Sequence, residues 1–391
     1  MHINDPGRII RDAAERLAPA LVAIRRDIHA HPELAFEETR TAGIVAAELA
    51  RLGIAHRTGI GRTGVVGTIE GGRPGPTLAI RADMDALPIA EETGLPFAST
   101  VAGKMHACGH DIHTATLLGV AAVLRDIAPM LAGRVLLVFQ PAEEVLEGAA
   151  AMIADGAGKG IDLALGFHNQ PDLPVGRFGF ARGACLAASD RFDLGIRGRS
   201  GHAAHPYAAV DPIVAAAAFV AQVQTVVSRE IRPVHPAVVT VGALQAGTTY
   251  NIIPERAHLK GTVRTLHQAA RDTAEAAIRR LAEGLEATMR VRCTLDYQRK
   301  VPPLVNDDRV LEPVLSAVRA QFGEVLEEGE PSMGAEDFAE FAALAPAFQL
   351  RIGSGAPGRD DRLHNADYQP DEGCIPLGVQ ALGRAALELL S

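Results

Sequence analysis

Leu78-Ala79-Ile80-Arg81-Ala82-Asp83-Met84-Asp85 passes within one short stretch from an apolar strand to two carboxylates. Open α/β sheets place their sites at the carboxyl ends of parallel strands, so this stretch predicts both a fold class and a place to look for chemistry. Two further runs repeat it. Arg134 to Phe139 is a buried strand ending in Gln140-Pro141-Ala142-Glu143-Glu144, and Leu163 to Phe167 is another ending in His168-Asn169. Helical patterns lie around them. Ile9, Ala13, Leu17, Leu21, Ile24 and Ile28 share one face over residues 8–28, a second helix runs from Glu37 to Leu52, and a third from His113 to Ile127. Strands alternating with helices predict a largely parallel sheet. Val65–Ile69 and Thr77–Arg81 read as a hairpin joined by Gly71-Gly72-Arg73-Pro74-Gly75.

Farther out, the pattern changes. From Asp190 to Gln298 it reads strand 191–197, helix 211–227, strands 237–244 and 257–266, helix 268–288, strand 290–297. This β-α-β-β-α-β order is the ferredoxin-like unit. It predicts an inserted domain, residues 188–299, inside a discontinuous domain of residues 1–187 and 300–391. The C-terminal part returns to α/β, with helices 308–321 and 335–343, strand 347–352, a Gly-rich loop, Leu363-His364-Asn365-Ala366-Asp367 and a final helix from Glu372. Gly59-Ile60-Gly61-Arg62-Thr63-Gly64 matches a dinucleotide-binding string. A strand follows it where that motif opens a helix, so the cofactor reading fails.

Composition narrows the class. The 391 residues are 48% apolar and 22% charged, with a net charge of −9 and no basic cluster. That is globular, and it argues against nucleic acid or an anionic membrane as partner. Cys108, Cys185, Cys293 and Cys374 are widely spaced and imply no disulfide framework. Met1 to Arg11 has no apolar leader segment, and Ile213 to Val223 is too short to span a bilayer. These features predict a cytoplasmic protein.

The chemistry gathers at Met105-His106-Ala107-Cys108-Gly109-His110-Asp111-Ile112-His113. Thiolate and imidazole bind borderline-soft divalent metals. The plain alternative is a helix start with Asp111 capping. Cys108 as a nucleophile is a third reading, but it leaves the Glu143-Glu144 pair without a role. In that pair one carboxylate can face a metal while the other deprotonates a water whose pKa the metal lowers. With His168 and His364 there are five candidate ligands, Cys108, His110, Glu144, His168 and His364, which suits two metals sharing one bridging group.

Five motifs in order resemble the M20 metallopeptidase clan, more narrowly its amidohydrolase branch. They are Arg81-Ala82-Asp83-Met84-Asp85-Ala86-Leu87-Pro88, His106-Ala107-Cys108-Gly109-His110-Asp111, Gln140-Pro141-Ala142-Glu143-Glu144, Gly198-Arg199-Ser200-Gly201-His202-Ala203-Ala204-His205-Pro206 and Asn251-Ile252-Ile253-Pro254. The branch includes hippurate hydrolases, N-acyl-L-amino acid amidohydrolases and auxin–amino acid conjugate hydrolases. The resemblance implies a zinc-peptidase-like catalytic domain with a lid or dimerisation domain, and a homodimer, with a tetramer as the larger alternative. It implies two divalent metals per subunit (Zn, Mn, Co or Ni), bridged by Cys108, with His110 and His168 completing one and Glu144 and His364 the other. Glu143 is then the general base, and His202 the oxyanion donor, in many relatives reaching the partner subunit's site. Asn251 and Arg264 are then the lid residues that hold the substrate's carboxylate or oxyanion. The clan's usual His-x-Asp ligand motif appears here as Arg81-Ala82-Asp83. Arg is always protonated and cannot ligate, so His110 replaces the imidazole and Asp83 orients a ligand from behind. The implied reaction is hydrolysis of N-acyl amino acids. A dipeptidase or deacylase acting on a free-amine substrate and a non-catalytic dimeric binding relative are the alternatives.

Overall fold

A computed structural model describes residues 5–391. Met1 to Asn4, part of the stretch read for a leader, lies outside them. The chain forms two compact units. The first comprises the chain through Gly183 with Val305–Glu330 and Asp337–Ser391, and the second comprises Ala184–Leu304 with Pro331–Glu336.

The first unit opens with helix α1 (Pro6–Ala30), started by Pro6 at its first turn and by the Asp5 carboxylate, which accepts the Gly7 N–H. Helix α2 (Thr39–Arg51) follows, then strands β1 (Ala55–Ile60), β2 (Gly64–Glu70) and β3 (Arg73–Asp83). Next come helix α3 (His110–Ile127) and strands β4 (Ala132–Gln140), β5 (Leu163–Pro174) and β6 (Phe178–Phe180). With Leu326–Glu328 and Ala347–Gly355 the strands make one sheet in the order β1-β2-β4-β3-β5, Ala347–Gly355, β6, Leu326–Glu328. Its centre is parallel: β3 runs with β4 and with β5, and Ala347–Gly355 runs with β5. The fold is mixed α/β with a mostly parallel sheet.

The strands β2 and β3 are not a hairpin, because β4 lies between them, antiparallel to β2 and parallel to β3. The glycine-rich link instead packs along the entry to β4. Gly71 N–H donates to Gly133 O, and Gly72 N–H reaches Ala128 O and Leu131 O. A side chain at Gly72 would collide with the Pro129 backbone. The hairpin in this region is β1–β2, turning at Gly61 to Thr63 within the Gly59–Gly64 string, in keeping with the rejected dinucleotide reading. The helix expected at 335–343 is only Ala339–Ala342.

Almost every residue of α3 is buried. A helix apolar all round belongs in a core, and α3 packs there against α1 and the C-terminal helix Cys374–Leu389. It starts at His110, three residues earlier than the periodicity predicts. Gly109, in the left-handed region at φ 93°, turns the chain into it.

The second unit has the β-α-β-β-α-β order read from the sequence. Strand Ala188–Arg197 lies between Arg256–Thr265 and Arg292–Val301, with Ala237–Ala246 at the edge beyond Arg256–Thr265, all antiparallel. Helices Pro212–Thr225 and Gln268–Met289 share a core with this sheet. The segment Pro212–Glu230 is long and apolar enough to cross a membrane. Its Ala215, Ala216, Phe219, Val223 and Val226 are spent inside this core.

Candidate metal centre

Three adjacent parallel strands, β4, β3 and β5, bring their carboxyl ends together, and each delivers polar side chains there. Asp83 ends β3 and Asp85 stands just beyond it, Glu143 and Glu144 stand beyond β4, and His168 is on β5. The loop Met105–Gly109 adds Cys108, and His110 begins α3. His364 arrives from the C-terminal part, its N–H donating to Ala107 O at 2.7 Å. That bond ties the His364 loop to the Cys108 loop.

Two of the groups formed by the ligand-capable atoms share Cys108. Cys108, His110 and His168 have donor atoms within 4.8 Å of one another, and so do Cys108, Glu144 and His364. Cys108 Sγ is 3.5 Å from His168 Nε2, and Glu144 Oε1 is 3.4 Å from His364 Nε2. A third such group is His110, Glu143 and Glu144, with His110 Nε2 3.9 Å from each carboxylate.

Hydrogen bonds fix the imidazoles for ligation. His168 Nδ1 donates to Asn169 O at 2.7 Å, and His110 Nδ1 donates to Asp85 O at 2.9 Å and Asp85 Oδ1 at 3.1 Å. Both rings therefore present Nε2 to the centre. His110 Nε2 is buried with no hydrogen-bond partner, and Glu144 Oε1 has none beyond its ion pair with His364 Nε2. Such orphans are costly unless something binds them, and an imidazole nitrogen beside a carboxylate oxygen suits a cation.

The electrostatics agree. Burial is the largest influence on His110 and opposes its charge, yet Asp83, Cys108 and Asp85 together hold the imidazole well above its ordinary pKa. The pocket is thus a place that attracts positive charge. Burial, with His113 and Arg351, keeps His168 well below the ordinary value and so neutral, the form that ligates. Burial pushes the Cys108 thiol up to about 12, and a bound divalent ion is what makes such a thiol a thiolate. The residues present fit two divalent ions.

Asp83 does not back His110 in the way the sequence suggests. It accepts from His113 Nδ1 at 2.5 Å, is paired with Arg81, and lies 3.7 Å from His110 Nε2, on the ligand side of the ring. The orienting carboxylate is Asp85, whose second oxygen also accepts the Glu144 N–H at 2.9 Å. Its place two residues past Asp83, still beyond the strand end, is the signal that could have found it. Arg81 is a structural cation, donating to Gln140 and Asp337 as well. His113 is satisfied on both sides, since Nε2 accepts the Asn169 N–H at 2.9 Å. Asp111 is spent away from the centre, on Arg25 and His29.

The profile of peptidase family M20/M25/M40 matches residues 79–388. The chain belongs to this family. Across 372 residues it is 39% identical to N-acetylcysteine deacetylase of Bacillus subtilis, covering 95% of this chain and 97% of that protein. It is 38% identical to the IAA-amino acid hydrolase ILR1-like 2 of Arabidopsis thaliana, covering 95% and 85%. Among solved structures, the Bacillus subtilis YXEP protein, a dinuclear metal binding peptidase of the M20 family, superposes with a TM-score of 0.85 at 36% identity, covering 96% of this chain and 99% of that one. This M20 protein is a metal-dependent hydrolase of amide bonds with a two-metal centre.

His202, Asn251 and Arg264 all belong to the second unit. His202 and Asn251 sit together there. His202 pairs with Ile252 on a two-residue ladder, and Ala203 N–H donates to Asn251 O. His202 Nδ1 accepts the Ala204 N–H at 3.0 Å, so the ring proton is on Nε2. Arg264, on the strand Arg256–Thr265, is half-buried, and its Nη1 is buried without a hydrogen-bond partner.

Proposed function

We propose that the chain hydrolyses N-acyl amino acids, of the hippurate or acetyl-amino acid kind, to a carboxylic acid and a free amino acid. The observation that carries this reading is the pair of ligand groups sharing Cys108, with Glu143 against them. Cys108 with His110 and His168 would hold one ion, and Cys108 with Glu144 and His364 would hold the other. Zn, Mn, Co or Ni bound there would supply a Lewis acid and acidify water.

Glu143 takes a proton from the attacking water and passes it to the leaving amine. His202 donates its Nε2–H to the developing oxyanion. Asn251 and Arg264 hold the substrate carboxylate, and a half-buried guanidinium with a spare donor suits that partner. The acyl-amino acid activities named for the two relatives favour this substrate class. We further place the enzyme in the cytoplasm as a homodimer assembled through its second unit, with no nucleic acid or membrane partner. Four free cysteines accord with a reducing compartment.

The test is a substrate panel run with each added metal: benzoyl- and acetyl-amino acids against unblocked dipeptides. Turnover of the acylated compounds is expected. Turnover of unblocked dipeptides alone would replace this reading with the dipeptidase one, and metal-independent binding without turnover would overturn it.

A further inference from the structure

Glu38 is a fully buried carboxylate that the reaction leaves without a role. It is not needed as the cap of α2. Glu33 does that work, taking the Arg40 and Thr41 N–H groups at 2.8 Å each and the Thr39 hydroxyl at 3.2 Å. Glu38 turns inward instead. Oε1 accepts the N–H of Phe36 at 3.0 Å and of Ala142 at 2.8 Å, and Oε2 accepts the Thr63 hydroxyl at 2.6 Å.

Two of its three partners sit in the left-handed region, and the third adjoins a residue that does. Phe36 has φ 64°, Ala142 φ 55°, and Thr63 follows Arg62 at φ 78°. Non-glycine residues avoid this region and stay there only when their surroundings hold them. The three segments also meet one another, since the Arg62 guanidinium lies 4.1 Å from the centre of the Phe36 ring. Ala142 is the residue before Glu143. The backbone on the other side of Glu143 is gripped too, at Glu144 N–H, by Asp85. Two carboxylates thus hold the amides on either side of the base. Leu146 N–H closes back on Glu143 O at 2.7 Å.

We propose that Glu38 is a positioning residue for Glu143, its carboxylate holding Ala142 in the left-handed conformation that aims the Glu143 side chain. The inference rests on Glu143 being the proton carrier. Without the clamp, Ala142 relaxes towards negative φ and swings Glu143 off line. A displacement of this order costs about 10²-fold in rate.

The test compares Glu38→Ala, Glu38→Gln and Glu38→Ala with Ala142→Gly in the metal-loaded enzyme, on whichever N-acyl amino acid the panel shows to be turned over. Glu38→Ala is expected to lose about 10²-fold in kcat, with KM and both metals retained. Glu38→Gln keeps an amide oxygen for the two N–H groups and retains most of the activity. Glycine takes positive φ freely, so adding Ala142→Gly to Glu38→Ala recovers part of the loss. A wild-type kcat in Glu38→Ala, or a double variant no better than the single one, overturns the proposal. If Glu38→Ala does not fold, Thr63→Val carries the test. It should lower kcat at unchanged KM, and an unchanged kcat overturns the proposal. Glu143→Gln, measured alongside, separates the two ideas. Full activity there removes the base, whereas a dead Glu143→Gln beside an unaffected Glu38→Ala removes only the clamp.

Discussion

Asp85 Oδ1 lies 3.1 Å from Nδ1 of His110. That contact fixes the tautomer with Nε2 facing the centre, and it would make the imidazole more basic towards a bound metal. The other Asp85 oxygen holds the Glu144 backbone, so one carboxylate sets a ligand in each of the two groups. Asp85→Ala should therefore weaken metal binding by about 10- to 100-fold, read by titration against a competing chelator. Unchanged affinity would deny Asp85 this role.

Cys108 belongs to both ligand groups. Its loss should remove more than one ligand's worth of binding. Cys108→Ala is expected to drop the metal content from two ions per chain to one or none by elemental analysis, whereas a retained stoichiometry of two would refute bridging.

His202 presents Nε2–H with Nδ1 already engaged. An oxyanion donor contributes about 10²- to 10³-fold to kcat. His202→Ala should show that loss in steady-state kinetics while keeping both metals. A change confined to KM would point to ground-state binding instead.

Away from the centre, His29 Nδ1 contacts Asp111 Oδ2 at 2.8 Å in a fully buried pair. Burial opposes the imidazolium, but the hydrogen bond and charge of Asp111 outweigh it and raise the His29 pKa. A raised folded-state pKa contributes stability that is complete below the unfolded value of about 6.5 and is lost as pH rises through the folded one. The Tm difference between wild type and His29→Gln should thus be larger at about pH 6 than at about pH 9. An equal difference at both would show that the pair is not charged in the folded protein.

Much of this centre could be read in the sequence because its residues follow apolar runs. Glu143-Glu144 follow the end of β4, which is visible as a change in hydropathy, whereas β5 continues to Pro174 and His168 lies inside it, past the end read for that strand at Phe167. The β-α-β-β-α-β unit was legible for a similar reason, since each of its elements packs through its own periodicity. Neighbour order in the large sheet was not. β4 enters between β2 and β3 from about fifty residues away, and nothing local announces it. Separation along the chain also hid Asp85, 25 residues before His110, and Glu38. Asp83 and Asp85 look alike as letters, and only the positions of His110 and His113 divide their duties. Glu38 reads as an ordinary helix-start acid until Ala142, 104 residues on, is brought against it.

In the proposed reaction Glu143 moves the proton while other residues hold the metals. Glu143→Gln, assayed for turnover and metal content in the same preparation, tests it most directly. Activity lost with two ions per chain retained is the predicted result, and full activity in that variant would contradict the account.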